Sequence, residues 1–190
     1  MPEPARGHAG WGYLLETMVQ SVELLLDEAA DAEIRRQWRL LEEAGVPSQA
    51  ANTAASNRPH ITAAVARQIW PRIERALDAQ TVPQIPVRLG GLLVFGARRP
   101  ILVRMVVPSE PLLALHRRIF HAISPCPGIP VNVHPDAWTP HITLARRVPA
   151  PQLGEAIHAV ARDRDFPATV LGIRRWDGEQ RREWPIGRGR

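Results

Sequence analysis

The chain has 190 residues, enough for one domain with a sizeable core, and its 45% hydrophobic and 23% charged content is that of an ordinary globular protein. The formal net charge of +5 rests on 24 Arg and no Lys against 19 Asp and Glu, which excludes P-loop, Schiff-base and lysyl-nucleotide chemistry, since each needs a lysine amine. Cys126 is alone and no apolar run is long enough to cross a bilayer, so the expectation is a cytoplasmic protein with no disulfide and no membrane attachment.

Residues 1–13 read as a flexible N-terminus that lacks the apolar core of a signal peptide. β-forming residues alternate over 14–25 and predict a strand. Asp27 can cap a helix whose Ile34, Trp38 and Leu41 follow a 3.6-residue period to about Ala44, where Gly45-Val46-Pro47 stops it. The small, polar residues 48–58 form a loop that delivers a short strand over 60–65. A helix over 67–79 follows, with Pro71 in its first turn. Segments 85–96 and 100–107 are apolar and β-rich, and Gly96-Ala97-Arg98-Arg99 between them predicts a hairpin. Ser109 caps a helix to Ile123 that buries Leu112, Leu113, Leu115, Ile119 and Phe120. His116 and His121, five residues apart on that helix, share no face and read as surface residues. The Pro/Gly-rich stretch 125–140 is a loop leading to a second short strand at His141. A helix over 151–162, then strands at 168–176 and 179–184 joined by a two-residue turn at Asp177-Gly178, and a tail over 185–190 complete the chain.

The order strand, helix, loop, strand, helix occurs twice. With it, Pro59-His60-Ile61-Thr62 returns as Pro140-His141-Ile142-Thr143, the histidines 81 positions apart. Half-units of about 14–104 and 105–184, with some exchange of strands, are each too small for a core of their own. They are expected to pack about a pseudo-two-fold axis into one bilobal α+β domain over 14–184, with mainly antiparallel sheets and a central cleft.

In a strand, residues i and i+2 share a face, so His60 lies beside Thr62 and His141 beside Thr143, while Ile61 and Ile142 point inward. His-x-Thr should arise by chance about 0.3 times in this composition, so two copies at equivalent points of a repeat are a strong signal. Two imidazoles suit an acid and a base at neutral pH, and two hydroxyls can donate to phosphate oxygens; breaking a phosphodiester asks for that set. Zinc catalysis wants three protein ligands, and neither histidine has a nearby carboxylate or second histidine at ligand spacing, so no metal and no other cofactor is expected.

The chain resembles the two-histidine (2H) phosphoesterases, and among them the branch of 2′-5′ RNA ligases and RNA 2′,3′-cyclic phosphodiesterases, over about residues 14–176. His141-Ile142-Thr143-Leu144-Ala145-Arg146 matches the family's His-x-Thr-Leu-x-Arg form in full; His60-Ile61-Thr62-Ala63 differs by Ala where Leu is common. The resemblance implies that His60 and His141 are the acid/base pair, that Thr62 and Thr143 hold the phosphate, and that Arg146 contacts it. Simple alternation would instead put Arg147 on the His141 face; a bulge or strand end there would favour Arg146. Trp138 is a candidate to stack a base at the cleft mouth, or else to anchor its loop. His134 lies outside the cleft in this reading. The expected substrate is an RNA terminus or nucleotide with a cyclic phosphate, acted on by a monomer. The rivals are an RNA-binding module without turnover, and an enzyme for a small cyclic nucleotide or other small phosphodiester.

Overall fold

The structure, a computed structural model, describes residues 19–161 and 164–189. Asp27 decides where the first helix begins: extended itself, it accepts the Ala30 N–H on Oδ1 at 2.9 Å, while its Oδ2 accepts the Thr169 N–H and so ties the helix start to a strand far along the chain. In chain order the elements are β1 (Gln20–Leu26), α1 (Glu28–Glu43), β2 (His60–Ala66), α2 (Pro71–Asp78), β3 (Thr81–Val82), β4 (Ile85–Phe95), β5 (Ile101–Val106), α3 (Glu110–Ile123), β6 (His141–Ala145), α4 (Leu153–Ala161), β7 (Phe166–Asp177), β8 (Arg182–Ile186) and β9 (Arg188–Gly189).

Seven strands form one sheet in the order β2-β1-β7-β4-β5-β6, with β8 on β7, and every pair in it is antiparallel; β3 and β9 form a small parallel pair. β7 joins the halves. Its first part pairs with β4, while its last part runs between β1 and β8. The helices cross over: α1 packs against β6 and α4, and α3 packs against β2 and α2. Each histidine strand is therefore backed by a helix from the other half. A continuous core runs beneath the sheet, from Ile34 and Leu41 through Leu89 and Leu102 to Leu112, Ile119 and Ile123, none more than 1% exposed. Within it, Arg104 spreads its guanidinium over Gln37 Oε1, Gly90 O and Val160 O at 2.8, 2.8 and 3.2 Å, linking α1, β4 and α4. The fold is the α+β arrangement read from the repeat.

Several boundaries differ from expectation. Residues 14–18 of the first strand lie outside the described residues, as does residue 162 of the last helix. The helix expected from 67 begins at Pro71, because a residue without an N–H sits at a helix start while Arg67 is held elsewhere, its N–H donating to Pro127 O at 2.8 Å. Ser109 has the extended backbone of a cap, yet its hydroxyl caps nothing. The last hairpin is wider than two residues: Asp177 pairs with Arg182, and residues 178–181 form the loop. Asp177 Oδ1 accepts the N–H groups of Glu179 and Gln180, and Arg181 turns the chain at φ 52°. β8 then extends through Ile186, and residues 188–189 pair with β3, where a tail was expected. His116 is buried, not exposed; with Leu112, Leu115, Ile119 and Ile123 it follows the i, i+3, i+4, i+7 stripe of an inward face.

Candidate active site between the two edge strands

β2 and β6 stand at opposite ends of the hydrogen-bonded order, yet the sheet curls until their Cα atoms come within 8 Å. His60 and His141 open these strands in the same pose. Nδ1 of His60 donates to Arg58 O at 2.7 Å, and Nδ1 of His141 donates to Thr139 O at 2.7 Å. A carbonyl only accepts, so the hydrogen sits on Nδ1 in both rings, and Nε2 is left as the nitrogen that can take or give a proton.

Both strands carry a bulge at the same point of the repeat. Val22 pairs with Ala64 and Glu23 with Thr62, skipping Ala63; Leu102 pairs with Ala145 and Val103 with Thr143, skipping Leu144. Two successive residues are thereby buried in each strand, and the alternation changes phase. The residue after the buried pair returns to the histidine face. It is Val65 in the first copy and the exposed Arg146 in the second, whose charge reaches His141. Arg146 and Arg147 both lie past the end of β6, and Arg147 turns the chain at φ 57°. Of the two, it is Arg146 whose charge acts on His141.

Beneath the histidines the two halves part company. Thr62 faces Glu23 across β2–β1, and Glu23 faces Arg174 across β1–β7. Glu23, 5% exposed, accepts from Ser21 Oγ and Arg174 Nε, both at 2.7 Å, and its Oε1 is 3.6 Å from His60 Nε2. Burial pushes the Glu23 carboxyl up, but the nearby charges of His60 and Arg174 and the two hydrogen bonds outweigh it, so it stays below the usual carboxylate range. Arg174 also donates to Ser56 O at 3.0 Å and pairs with Glu183. It lies 3.5 Å from His60 Nδ1, a contact that is no hydrogen bond, because that nitrogen bears the proton given to Arg58. In the other half Thr143 faces Val103 and Val103 faces Leu93, while Phe95 meets the His141 ring edge-on at 4.9 Å. Burial depresses the His141 pKa below the usual imidazole value; the charges of Arg146 and His60 add to this, and the bond to Thr139 only partly offsets it.

The remaining candidates fall as follows. Trp138 is half-buried, its indole N–H donates to Thr62 O at 2.9 Å, and one ring face stacks on His116 at 3.8 Å, so its anchoring contacts are in place. His134 and His121 are exposed. Among the described residues no three His, Cys, Asp or Glu side chains converge as metal ligands. Also among them, no helix is long and apolar enough to cross a membrane. Glu23 and Arg174 escaped the sequence reading. Their signal was a charge inside an otherwise apolar strand pattern, in Ser21-Val22-Glu23-Leu24 and Gly172-Ile173-Arg174-Arg175.

Residues 26–179 match the model of the 2′-5′ RNA ligase superfamily. No protein of curated function matches the sequence. Several solved structures share the fold, among them these. E. coli LigT complexed with 3′-AMP has 19% identity and a TM-score of 0.57, covering 89% of this chain and 95% of that one. TT0787 of Thermus thermophilus has 20% identity and a TM-score of 0.57, covering 83% and 87%. Kluyveromyces marxianus Usb1 with uridine monophosphate has 14% identity and a TM-score of 0.52, covering 90% and 99%.

Proposed function

The chain belongs to the 2′-5′ RNA ligase superfamily of two-histidine phosphoesterases, and on that premise we propose that it opens 2′,3′-cyclic phosphates at RNA termini without a metal, leaving a 2′-phosphate. The observation that carries the reading is the matched pose of His60 and His141, each with Nδ1 locked on a backbone carbonyl and Nε2 left for proton transfer. Two fold neighbours bind nucleotides, 3′-AMP and uridine monophosphate, which supports a nucleotide-bearing substrate.

The unlike surroundings support a division of roles. His141, against Phe95 and with its pKa lowered, is the neutral base. His60, with the Glu23 carboxylate 3.6 Å from its Nε2, is the acid. His141 Nε2 takes a proton from water as the water oxygen bonds to phosphorus. The P–O3′ bond breaks, and His60 Nε2 gives its proton to the departing 3′ oxygen. The products are a 2′-phosphomonoester and a 3′-hydroxyl, and exchange with solvent resets both rings. Thr62 and Thr143 donate to the non-bridging oxygens, and Arg146 adds positive charge on the His141 side. Joining 2′-5′ ends is the same ring opening with an RNA 5′-hydroxyl in place of water.

A short RNA ending in a 2′,3′-cyclic phosphate, incubated in excess EDTA and read by mass and phosphatase sensitivity, tests this. A 2′-phosphate product in EDTA is expected. Binding without turnover would point to an RNA-binding module, and turnover of free cyclic nucleotides alone to a small-molecule enzyme. Activity lost on chelation and restored by Zn²⁺ or Mn²⁺ would sink the metal-free mechanism.

A further inference from the structure

β2 and β6 are the two ends of the sheet's strand order, and among the described residues no strand pairs with either on its outer side. Such an edge presents backbone carbonyls that need another partner. Two of these carbonyls, at equivalent positions of the repeat, are met by indoles. Trp38 Nε1–H donates to Thr143 O at 3.0 Å, and Trp138 Nε1–H donates to Thr62 O at 2.9 Å. The donors come from unlike places, α1 in one case and the loop before β6 in the other, and each reaches a strand of the opposite half.

Both indoles are themselves held. Trp38 is 4% exposed, with the Arg35 guanidinium 5.6 Å from its ring centroid. Trp138 lies nearly parallel on His116, the planes 2° apart, and His116 is fixed by an Nε2 contact of 3.1 Å to Val133 O. Each accepting carbonyl belongs to the residue just before the bulge, Ala63 in one strand and Leu144 in the other. Fixing that carbonyl fixes the peptide that starts the bulge, and with it the aim of the threonine and of whatever follows.

We infer that Trp38 and Trp138 are positioning residues, whose N–H groups hold the two histidine strands at a set spacing in place of the backbone ladder that is missing between them. The kinetic arm of this inference rests on the phosphoesterase reading; its spectroscopic arm does not.

The test uses Trp38→Phe and Trp138→Phe, which keep a ring and remove the N–H, with Trp70→Phe as a control away from the seam. On the cyclic-phosphate RNA, each seam variant should lose roughly tenfold in kcat with KM within about twofold, since small misplacements of reacting groups are costly. The control should match the parent. In carbonyl ¹³C spectra, Trp38→Phe should move the Thr143 signal and leave that of Thr62, and Trp138→Phe the reverse. Trp38→Phe should also raise the His141 titration toward the ordinary imidazole value, because water must then serve the Thr143 carbonyl beside it. Unmoved carbonyl and His141 signals, or a parent-like kcat in an active protein, would overturn the inference. A parent protein that turned nothing over would defeat the phosphoesterase reading, and the spectra would still decide this one.

Discussion

The two halves of the cleft are copies in backbone and opposites in chemistry. His60 and His141 share a tautomer lock, a neighbouring threonine and a bulge, yet one lies by Glu23 and Arg174 and the other against Phe95, and Thr62 is opposite Glu23 where Thr143 is opposite Val103. Stability does not explain the difference. Replacing a buried ion pair by well-packed apolar residues is commonly neutral or stabilising by about 1–4 kcal/mol, so the Glu23–Arg174 side gains nothing as a floor that an apolar one would lack. What it supplies is an anion 3.6 Å from an imidazole. Duplication produces two identical groups; acid/base catalysis needs two unlike ones. In this chain it is the strands beneath the pair, not the pair itself, that differ.

The largest effects on turnover should come from the histidines. His60→Ala and His141→Ala should each cost at least about 10²–10⁴ in kcat, and the double variant should be hardly worse, because both protons move in one transition state. Circular dichroism must show the variants folded. The pH–rate profile should be a bell, as one ring acts neutral and the other charged. Since the base must be neutral and His141 is depressed, the rate should fall on the acid side at a pH below the usual imidazole value of about 6.5. An acid limb above that value would break the comparison by reversing the roles.

Next comes the charged floor. Glu23→Gln keeps the shape and removes the anion, leaving Arg174 with Glu183. Breaking a buried pair from one side costs about 3–5 kcal/mol, and some of that should appear in urea melts here. Turnover should drop about tenfold at pH 7, because the anion beside the proposed acid is gone. Val103→Ala, the matching change on the apolar side, should leave kcat within about twofold. Equal losses from both variants would mean that the floors merely support the strands.

Much of this was legible in the sequence, for physical reasons that can be named. The tetrapeptides were visible because a strand's period of two fixes which face a side chain takes, and because the repeat placed both copies in one context. The ambiguity between Arg146 and Arg147 came from that same rule. A bulge is one extra residue that leaves no mark of its own, and Leu144 could not announce it before its pairing with β5 was known. Glu23 and Arg174 are 151 residues apart, so their partnership is a matter of topology, not of local pattern. His116 was misplaced because its spacing to His121 was weighed and its place on the stripe of Leu112, Leu115, Ile119 and Ile123 was not. The exchange of helices between halves has no local signal at all.

Smaller effects should follow from the groups proposed to hold the phosphate. Thr62→Ala and Thr143→Ala each remove one donor and leave both proton-transfer groups, so the expected loss is about tenfold to a hundredfold, below that of either histidine. Arg146→Ala should act mainly on KM, and Val65→Ala, at the matching position, on neither parameter. A threonine variant as inactive as a histidine variant while still folded would overturn the division of roles.

The smallest effect on turnover at neutral pH should come from His116, which touches the comparison through Trp138 and through a backbone hydrogen bond at Ala63. Its ring is 1% exposed and stacked, and burial pulls its pKa down to about 4. It is therefore neutral at pH 7. In the unfolded chain the same group titrates near 6.5, so as pH falls from that value the unfolded state takes up the proton first and the native state loses stability. The loss continues down to about pH 4 and amounts to about 3 kcal/mol, one pKa unit being about 1.4. Glu23 adds to acid lability only further down, as its own depressed carboxyl is protonated. His116→Phe keeps the stack on Trp138 and cannot bind a proton. It leaves Val133 O short of a partner, so absolute stability should fall by about 1–3 kcal/mol; the slope with pH is the deciding quantity. Urea titrations between pH 4 and 7 should show the variant shallower than the parent by close to one proton, with kcat at pH 7 little changed. An unchanged slope would mean that the buried imidazole is already solvated, and that the stack behind Trp138 is looser than its 3.8 Å spacing implies.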